Sequence, residues 1–331
     1  RLNLPLQSPD STTIGPDSCG SRRWWQDPWN VACIVGAVFL TALVMWPIID
    51  AGRTALDLVW RPSGDWAILN LRVEDVGRHT PLVGPYSRFG WNHPGPLLYW
   101  LLAIPYHLFG DKPEALLTAA ATLNALTIAA MSLVAWRRGR LALVSCTMAA
   151  TAVLLHAMGP AMMRDPWNPF ITLLPLALIA LLAWSVVEGD AWMWPLLLFV
   201  ASYELQSHIG YLPILTMIAV AIVLLAWRRD SFRSLLPSDR TQRRFVLGVS
   251  SAVLFGCWLP VIVDQGAGTG NLGAITHYFF SPGDRPAGLG TGLHIASDQL
   301  RIPSAPWLGR TELTGTDGAL LGSGFIAFLI P

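Results

Sequence analysis

The part of this chain best equipped for chemistry is a polar segment at residues 65–93, just after the first long apolar run. It reads DWAILNLRVEDVGRHTPLVGPYSRFGWNH and combines carboxylates, imidazoles, guanidinium groups and aromatic rings. A carboxylate can act as a general base, and arginine binds anionic oxygens through paired N–H donors. The ionisable residues of the segment are Asp65, Arg72, Glu74, Asp75, Arg78, His79, Arg88 and His93.

This density of charge stands out because the rest of the chain is poor in it. The 331 residues are 53% hydrophobic and only 13% charged, whereas about a quarter of the residues of a soluble domain are charged. The composition excludes an ordinary cytosolic enzyme and a disordered protein. A net charge of +1 offers no surface for a polyanion, which argues against a nucleic-acid binder.

Long uncharged apolar runs predict the fold class. A membrane-spanning helix requires about 20 apolar residues to cross about 30 Å of hydrocarbon. We therefore predict an all-α polytopic membrane protein, and we interpret the chain as a C-terminally truncated fragment. The apolar runs are 31–49, 115–136, 141–163, 170–187, a shorter one at 191–203, 205–227, 245–263 and the beginning of a further span at 318–331.

The segment 94–109 decides the predicted topology. It has 16 residues, including three prolines, and a run of that size more often lies along the interface or re-enters than spans. If it does not cross, the basic loops 137–140 and 228–244 fall on the same side as Arg22 and Arg23, which the positive-inside rule assigns to the cytoplasm. The predicted organisation is a cytoplasmic tail (1–30), a transmembrane core (31–263) with outer loops at about 50–113 and 159–169, a further outer loop (264–317) and the start of another span (318–331).

Residues 65–76 contain no proline or glycine and are predicted to form a helix. On such a helix Asp65 and Glu74 would lie about 13 Å apart along the axis, so they would not form a close pair of carboxylates. The alternative interpretation, that these charges are only a solvated loop at the lipid headgroups, remains open at this point.

The order of these segments resembles the protein O-mannosyltransferase-like and aminoarabinose transferase-like branch of the GT-C glycosyltransferases. NHPGPLLYWLLAIPYHLFG is similar to the HPPLYY-type interfacial segment of those proteins. EALLTAAATLNALTIAAMSLVAWRRGR resembles their small-residue-rich span that ends in basic residues, and MMRDPWNPFITLLPLALIALLAW resembles the segment that opens their fourth span. The resemblance covers residues 31–263 and implies a GT-C-like helix bundle with a catalytic outer loop at 50–113.

The resemblance implies transfer of a sugar from a polyprenyl-phosphate donor to an envelope acceptor, at the outer face of a bacterial cytoplasmic membrane. Asp65 matches the position of the family's general base, because it follows the first span and precedes the HP segment. The family often places a second acid beside it, whereas this chain has Trp66, which leaves Glu74 or Asp75 to assist. The candidates for binding the donor phosphate are Arg88, His93, Arg72 and Arg164.

A divalent metal is a further implication of the resemblance, with Asp65 and Asp165 as candidate ligands and His93 as a third. Asp165 could instead cap a helix whose first residue is Pro166, and both interpretations stay open. Glu204 and His208 are further polar candidates, because ionisable residues near membrane depth are suspected of function.

One further segment and two alternative functions also stay open. The glycine-rich segment GAGTGNLG superficially resembles a phosphate-binding loop but lacks the following lysine, so we interpret it as part of a flexible outer cover. Besides a glycosyltransferase, the chain could be a transporter or flippase of a lipid-linked saccharide. It could also be a non-catalytic assembly subunit of an envelope complex.

Overall fold

The computed structural model describes residues 28–228, 235–281 and 288–299. Within these ranges the chain is helical and forms no β-strand, which confirms the predicted all-α class. Arg22, Arg23 and the apolar run 318–331 lie outside the described residues. The helices are α1 (Pro28–Ala55), α2 (Asp65–Glu74), α3 (Leu97–Leu108), α4 (Pro113–Met163), α5 (Asn168–Ile171), α6 (Leu173–Val187), α7 (Trp194–Ser207), α8 (Leu212–Arg228), α9 (Arg240–Ala267), α10 (Asn271–Phe280) and α11 (Leu289–Gln299).

Among the described residues, five helical segments are long and apolar enough to cross a membrane. They are α1, α4, the segment Asn168–Val187, the segment Ile209–Arg228 and α9. Their length and composition suit a multi-pass membrane protein, the class that the sequence predicts.

Helix α4 is a hairpin of two antiparallel arms rather than one straight rod. A straight helix of its 51 residues would measure about 76 Å. The backbone leaves helical geometry at residues 139–140, and the Asn124 side chain donates a hydrogen bond to the Met163 carbonyl, 39 residues later, at 2.9 Å. The chain therefore folds back at the WRRGR turn, and the two arms correspond to the predicted runs 115–136 and 141–163.

One end of the bundle, here called the basic end, holds the arginine-rich turn at residues 137–140. Arg137 forms an ion pair with Asp190 at 2.9 Å, and Arg138 donates to the Glu188 carbonyl at 3.2 Å. These bonds join the turn of the α4 hairpin to the connection between α6 and α7. The Trp194 indole donates to the Leu235 carbonyl at 2.8 Å and brings the segment before α9 to the same end.

The opposite end, here called the loop end, holds α2, α3, the loop 84–93, α5 and α10. Helix α3 has 12 residues, about 18 Å, which is too short to cross about 30 Å of hydrocarbon. Most of its apolar side chains are buried against α2, α4 and α7, whereas Ile104 and Leu108 are exposed. Leu69 and Val73 of α2 share one core with Leu98, Leu102 and Tyr106 of α3.

The predicted outer loop 264–317 is not a loop throughout. Helix α9 continues to Ala267, and helices α10 and α11 occupy most of the remaining described positions. The expectation of a loop is therefore wrong for α10, which is helical and packs against α9. Residues 300–317 of that predicted loop lie outside the described residues.

Candidate functional site

Residues 84–93 form a small hairpin over the loop end. Gly84 donates its N–H to the His93 carbonyl at 2.9 Å, and His93 donates its N–H to the Pro85 carbonyl at 2.8 Å. Gly84 has no room for a side chain, because a Cβ atom there would lie 2.5 Å from the Gly95 carbonyl oxygen and 2.7 Å from that of Gln206. The hairpin is thus pressed directly onto the backbone of α7 and of the segment that leads into α3.

An asparagine at the start of α10 holds the other side of the hairpin. The Asn271 side chain accepts the Asn92 N–H at 2.8 Å and donates to the Asn92 carbonyl at 2.9 Å. Asp264, which is buried, accepts the backbone N–H groups of Thr269 at 3.0 Å and Asn271 at 3.1 Å. The glycine-rich turn that resembles a phosphate loop therefore turns these amide groups toward a carboxylate of its own chain.

Asp65, the predicted base, lies at the first position of α2 and is exposed. Within the part of the chain that the structure describes, its carboxylate forms no hydrogen bond or ion pair. It borders a cleft between α2, the hairpin and α5, which we call the Asp65 cleft. The residues that line it are Asp65, Ile68, Leu69, Pro85, Tyr86, Tyr99, Trp167 and Asn168.

The Asp65 cleft is narrow. It encloses about 20 Å³, which is enough for a water molecule but not for a sugar ring. A larger ligand would therefore have to bind across the mouth of the cleft, against the exposed Tyr86 ring and the half-buried Trp167 ring.

A hydrogen bond beside the cleft joins α2 to the segment that precedes α5. The Trp66 indole and the Trp167 backbone N–H both donate to Asp165 Oδ1, each at 2.9 Å. The two indole rings lie against each other with centroids 5.7 Å apart. Burial raises the pKa of Asp165, and the two hydrogen bonds offset part of that shift. Asp165 is not the N-cap of the next helix, because α5 begins at Asn168 with Trp167 as its N-cap.

One of the two predicted metal ligands already accepts two hydrogen bonds, because Asp165 Oδ1 receives the Trp66 indole N–H and the Trp167 backbone N–H. Among the described residues no group of three or more histidine, cysteine or acidic side chains could hold a metal ion. A divalent metal at Asp65 and Asp165 stays a prediction.

The three candidate arginines occupy different surroundings. Arg164 donates to the Ala51 carbonyl at 3.0 Å and thereby satisfies the end of α1. Arg88 is exposed near the tip of the hairpin, 5.0 Å above the Phe89 ring. Arg72 is exposed on α2 and acts electrostatically on the phenol of Tyr99, which lines the Asp65 cleft.

His93 is unsuited to bind a phosphate as a cation. It is buried, and its Nδ1 accepts the Ile209 N–H at 3.1 Å. Burial, with a smaller contribution from His208, lowers the pKa of His93 to about 3. The imidazole is therefore neutral at physiological pH. Its ring lies 4.6 Å from that of the half-buried His208, whose pKa burial also lowers.

Glu74 and Asp75 do not line the Asp65 cleft. They occupy the last position and the C-cap of α2, at the opposite end from Asp65. Glu74 instead lies near Tyr106, where it helps to raise the pKa of that phenol after the larger effect of burial. The structure thus brings Asp65 and Arg72 to one side of the site but not the two assisting acids.

Sequence reasoning missed the aromatic and amide walls of the cleft. Tyr86, Trp167 and Asn168 were not among the predicted site residues, although the MMRDPWNPF string contains two of them. A search for aromatic and amide side chains beside each candidate carboxylate would have found them only if the contact between α2 and the segment before α5 had been known.

No family model, curated protein or solved structure matches this chain.

The bond from Trp66 to Asp165 predicts a pH-dependent loss of stability. Trp66→Phe removes one donor from a partly buried carboxylate, which should cost about 1–2 kcal/mol at pH 7 and raise the pKa of Asp165 further. Ionisation of an acid whose pKa is raised in the folded state opposes folding. The stability that Trp66→Phe loses relative to the wild type should therefore be largest at neutral pH. This loss should shrink as the pH falls toward the ordinary aspartate pKa of about 4.

Thermal unfolding of both proteins between pH 4 and pH 8 measures this effect. Trp167→Phe is the matched control, because its bond to Asp165 comes from the backbone and survives the change. Its deficit should not vary with pH. Equal deficits of Trp66→Phe at pH 4 and pH 8 would contradict the assigned bond.

Proposed function

We propose that this chain is a membrane glycosyltransferase that moves a sugar from a polyprenyl-phosphate donor to an envelope acceptor. The observation that carries the proposal is the Asp65 carboxylate, which has no partner among the described residues and lies beside aromatic rings and an amide at the loop end. Tyr86 and Trp167 offer apolar ring faces to a sugar, and the Asn168 amide group is of a type that binds hydroxyl groups. The resemblance to the GT-C glycosyltransferases supports the same reading.

In the proposed reaction Asp65 accepts the proton of the acceptor hydroxyl group. The hydroxyl oxygen then bonds to the anomeric carbon of the sugar, and the bond from that carbon to the phosphate oxygen breaks. Polyprenyl phosphate leaves with the bonding electrons. A positioned carboxylate base contributes about 10²–10⁴-fold to such a proton transfer.

Arg72 and Arg88 remain as the candidate cations for the leaving phosphate, because both are exposed. Arg164 already donates a hydrogen bond to a carbonyl at the end of α1, and His93 is neutral and buried. Asp65 and Arg72 are seven residues apart on α2, about 10 Å along the helix axis. A base and a phosphate-binding group on one helix would hold the two ends of the reacting centre at a fixed separation.

We place the loop end outside the cell. The basic end carries the turn 137–140 and the start of α9, which are rich in arginine, and short arginine-rich loops stay in the cytoplasm. Polyprenyl-phosphate donors used at the outer face would then meet Asp65 directly.

Cysteine labelling tests this orientation. Thr80→Cys at the loop end should react with a membrane-impermeant maleimide in intact cells, whereas Ser238→Cys at the basic end should react only after permeabilisation. Both positions are exposed, and the wild-type chain measures the background from its native cysteines. The reverse pattern would put the Asp65 cleft in the cytoplasm.

A transfer assay tests the function. Purified chain in bilayers of bacterial lipid is incubated with radiolabelled polyprenyl-phosphate sugars and cell-envelope acceptors, and labelled acceptor is separated from the donor. We expect labelled acceptor and free polyprenyl phosphate in equal amounts. Donor movement between leaflets without any labelled acceptor would favour the transporter or flippase, and neither activity would favour the assembly subunit.

A further inference from the structure

A second chemically unusual group lies apart from the Asp65 cleft, inside the bundle. Glu204, on the last two turns of α7, has no exposed surface. Neither of its carboxyl oxygens has a hydrogen-bond partner among the described residues. A buried carboxyl group without a partner is rare, because an ionised carboxylate is very costly in a low-dielectric interior and a neutral one still lacks its hydrogen bonds.

The end of α7 is held on two sides, so Glu204 cannot easily turn toward solvent. The Gln206 side chain donates to the Cys257 carbonyl of α9 at 2.8 Å. The Asn168 side chain donates to the Ser207 carbonyl at 2.9 Å. These bonds tie the end of α7 to α9 and to α5, and the carboxyl group therefore keeps its interior position.

The groups around Glu204 supply no positive charge. The titratable side chains that act on it or lie nearest are the phenols of Tyr203 and Tyr211 and the imidazole of His208, one turn further along. His93 packs against His208 from the hairpin. Phenols are neutral at pH 7, and burial keeps both imidazoles neutral as well. No Arg or Lys side chain forms an ion pair with Glu204 in the described ranges.

We propose that Glu204 is a proton-binding site, occupied in the resting protein, whose proton exchanges with solvent on the side of His208. A neutral acid is the form of a carboxyl group that an interior without cations can accommodate. His208, the C-cap of α7, is the half-buried titratable group nearest to Glu204 along the chain. Its Nδ1 accepts the Gly210 N–H at 3.0 Å, so the ring hydrogen is on Nε2, free to exchange. This inference is independent of the proposed glycosyl transfer.

Infrared difference spectroscopy of the full chain in bilayers at pH 7 tests the proposal without any need for a reagent to reach the site. The spectrum of the wild type minus that of Glu204→Gln should contain the C=O band of a protonated carboxylic acid. Glu114→Gln is the matched control; Glu114 is partly exposed and accepts the Trp60 N–H at 3.1 Å, and its removal should change carboxylate bands instead. Carboxylate bands in the Glu204 difference spectrum would overturn the proposal.

Exchange of the Glu204 proton with solvent is measured by transfer of the same samples to D₂O. The acid band should shift to the deuterated position, and His208→Gln, which retains an acceptor for the Gly210 N–H, should slow that shift at least tenfold. A band that never shifts would overturn exchange with solvent, and an unchanged rate in His208→Gln would overturn the assigned side. A band that is lost on addition of Na⁺ at constant pH would show a cation site in place of a proton site.

Discussion

We expect Asp65→Asn to lower the initial rate of sugar transfer about 100- to 10,000-fold. The amide has the size of the carboxylate but cannot accept the proton of the acceptor hydroxyl, and general-base catalysis supplies about this factor. The loss should fall mainly on kcat, because the substitution leaves the walls of the cleft intact. Initial rates at several donor concentrations separate that loss from a change in KM.

The fold should not suffer from this change. Asp65 is exposed and forms no hydrogen bond or ion pair with the described residues, so the Tm of Asp65→Asn should equal that of the wild type. Asp57→Asn, another exposed aspartate at the loop end, is the control and should retain full transfer. Undiminished transfer by Asp65→Asn would remove Asp65 from the role of base.

The second large predicted effect is a loss of folding stability in Gly84→Ala. A Cβ atom there would lie 2.5–2.9 Å from three backbone carbonyl oxygens, those of Gly95, Gln206 and His93. Backbone atoms cannot move aside as a flexible side chain can, so Gly84→Ala should cost about 3 kcal/mol, the upper part of the usual range for overpacking. Transfer should fall as well, because Pro85 and Tyr86 next to it line the Asp65 cleft.

Thermal unfolding in detergent measures this cost. Gly266→Ala serves as the control: it lies in α9 with no atom within 4 Å of the added Cβ, and alanine in a helix is favoured over glycine by about 1 kcal/mol. Its Tm should therefore stay level or rise. If Gly84→Ala were as stable as the wild type, the hairpin could not lie on α7 as described.

Local sequence was sufficient for the elements that depend on local rules. Helix α2 begins at Asp65 and ends at Glu74, close to the predicted 65–76, because the segment lacks proline and glycine until Gly77. The reversal at residues 139–140 follows from the WRRGR string between two apolar runs. The non-spanning length of α3 follows from its prolines and polar flanks.

The candidate site could not be predicted from local sequence, because its residues come from segments that are far apart along the chain. Trp66 looked like a departure from a pair of acids, yet its indole binds Asp165, 99 residues away. His93 looked like a cation, and only the packing of the hairpin against the turn after α7 shows that it is buried and neutral. Burial and long-range pairing set the chemistry of both residues, and neither can be inferred from the residues next to them in the sequence.

The measurement that tests the central claim most directly maps where the donor binds. A polyprenyl-phosphate sugar with a photoreactive diazirine on the sugar is bound to the full chain in bilayers, illuminated and located by mass spectrometry of the peptides. The account predicts adducts in 65–72, 85–88 and 167–168, around the Asp65 cleft, and competition by unmodified donor. Adducts confined to the basic end, at 136–140 or 235–240, would contradict it.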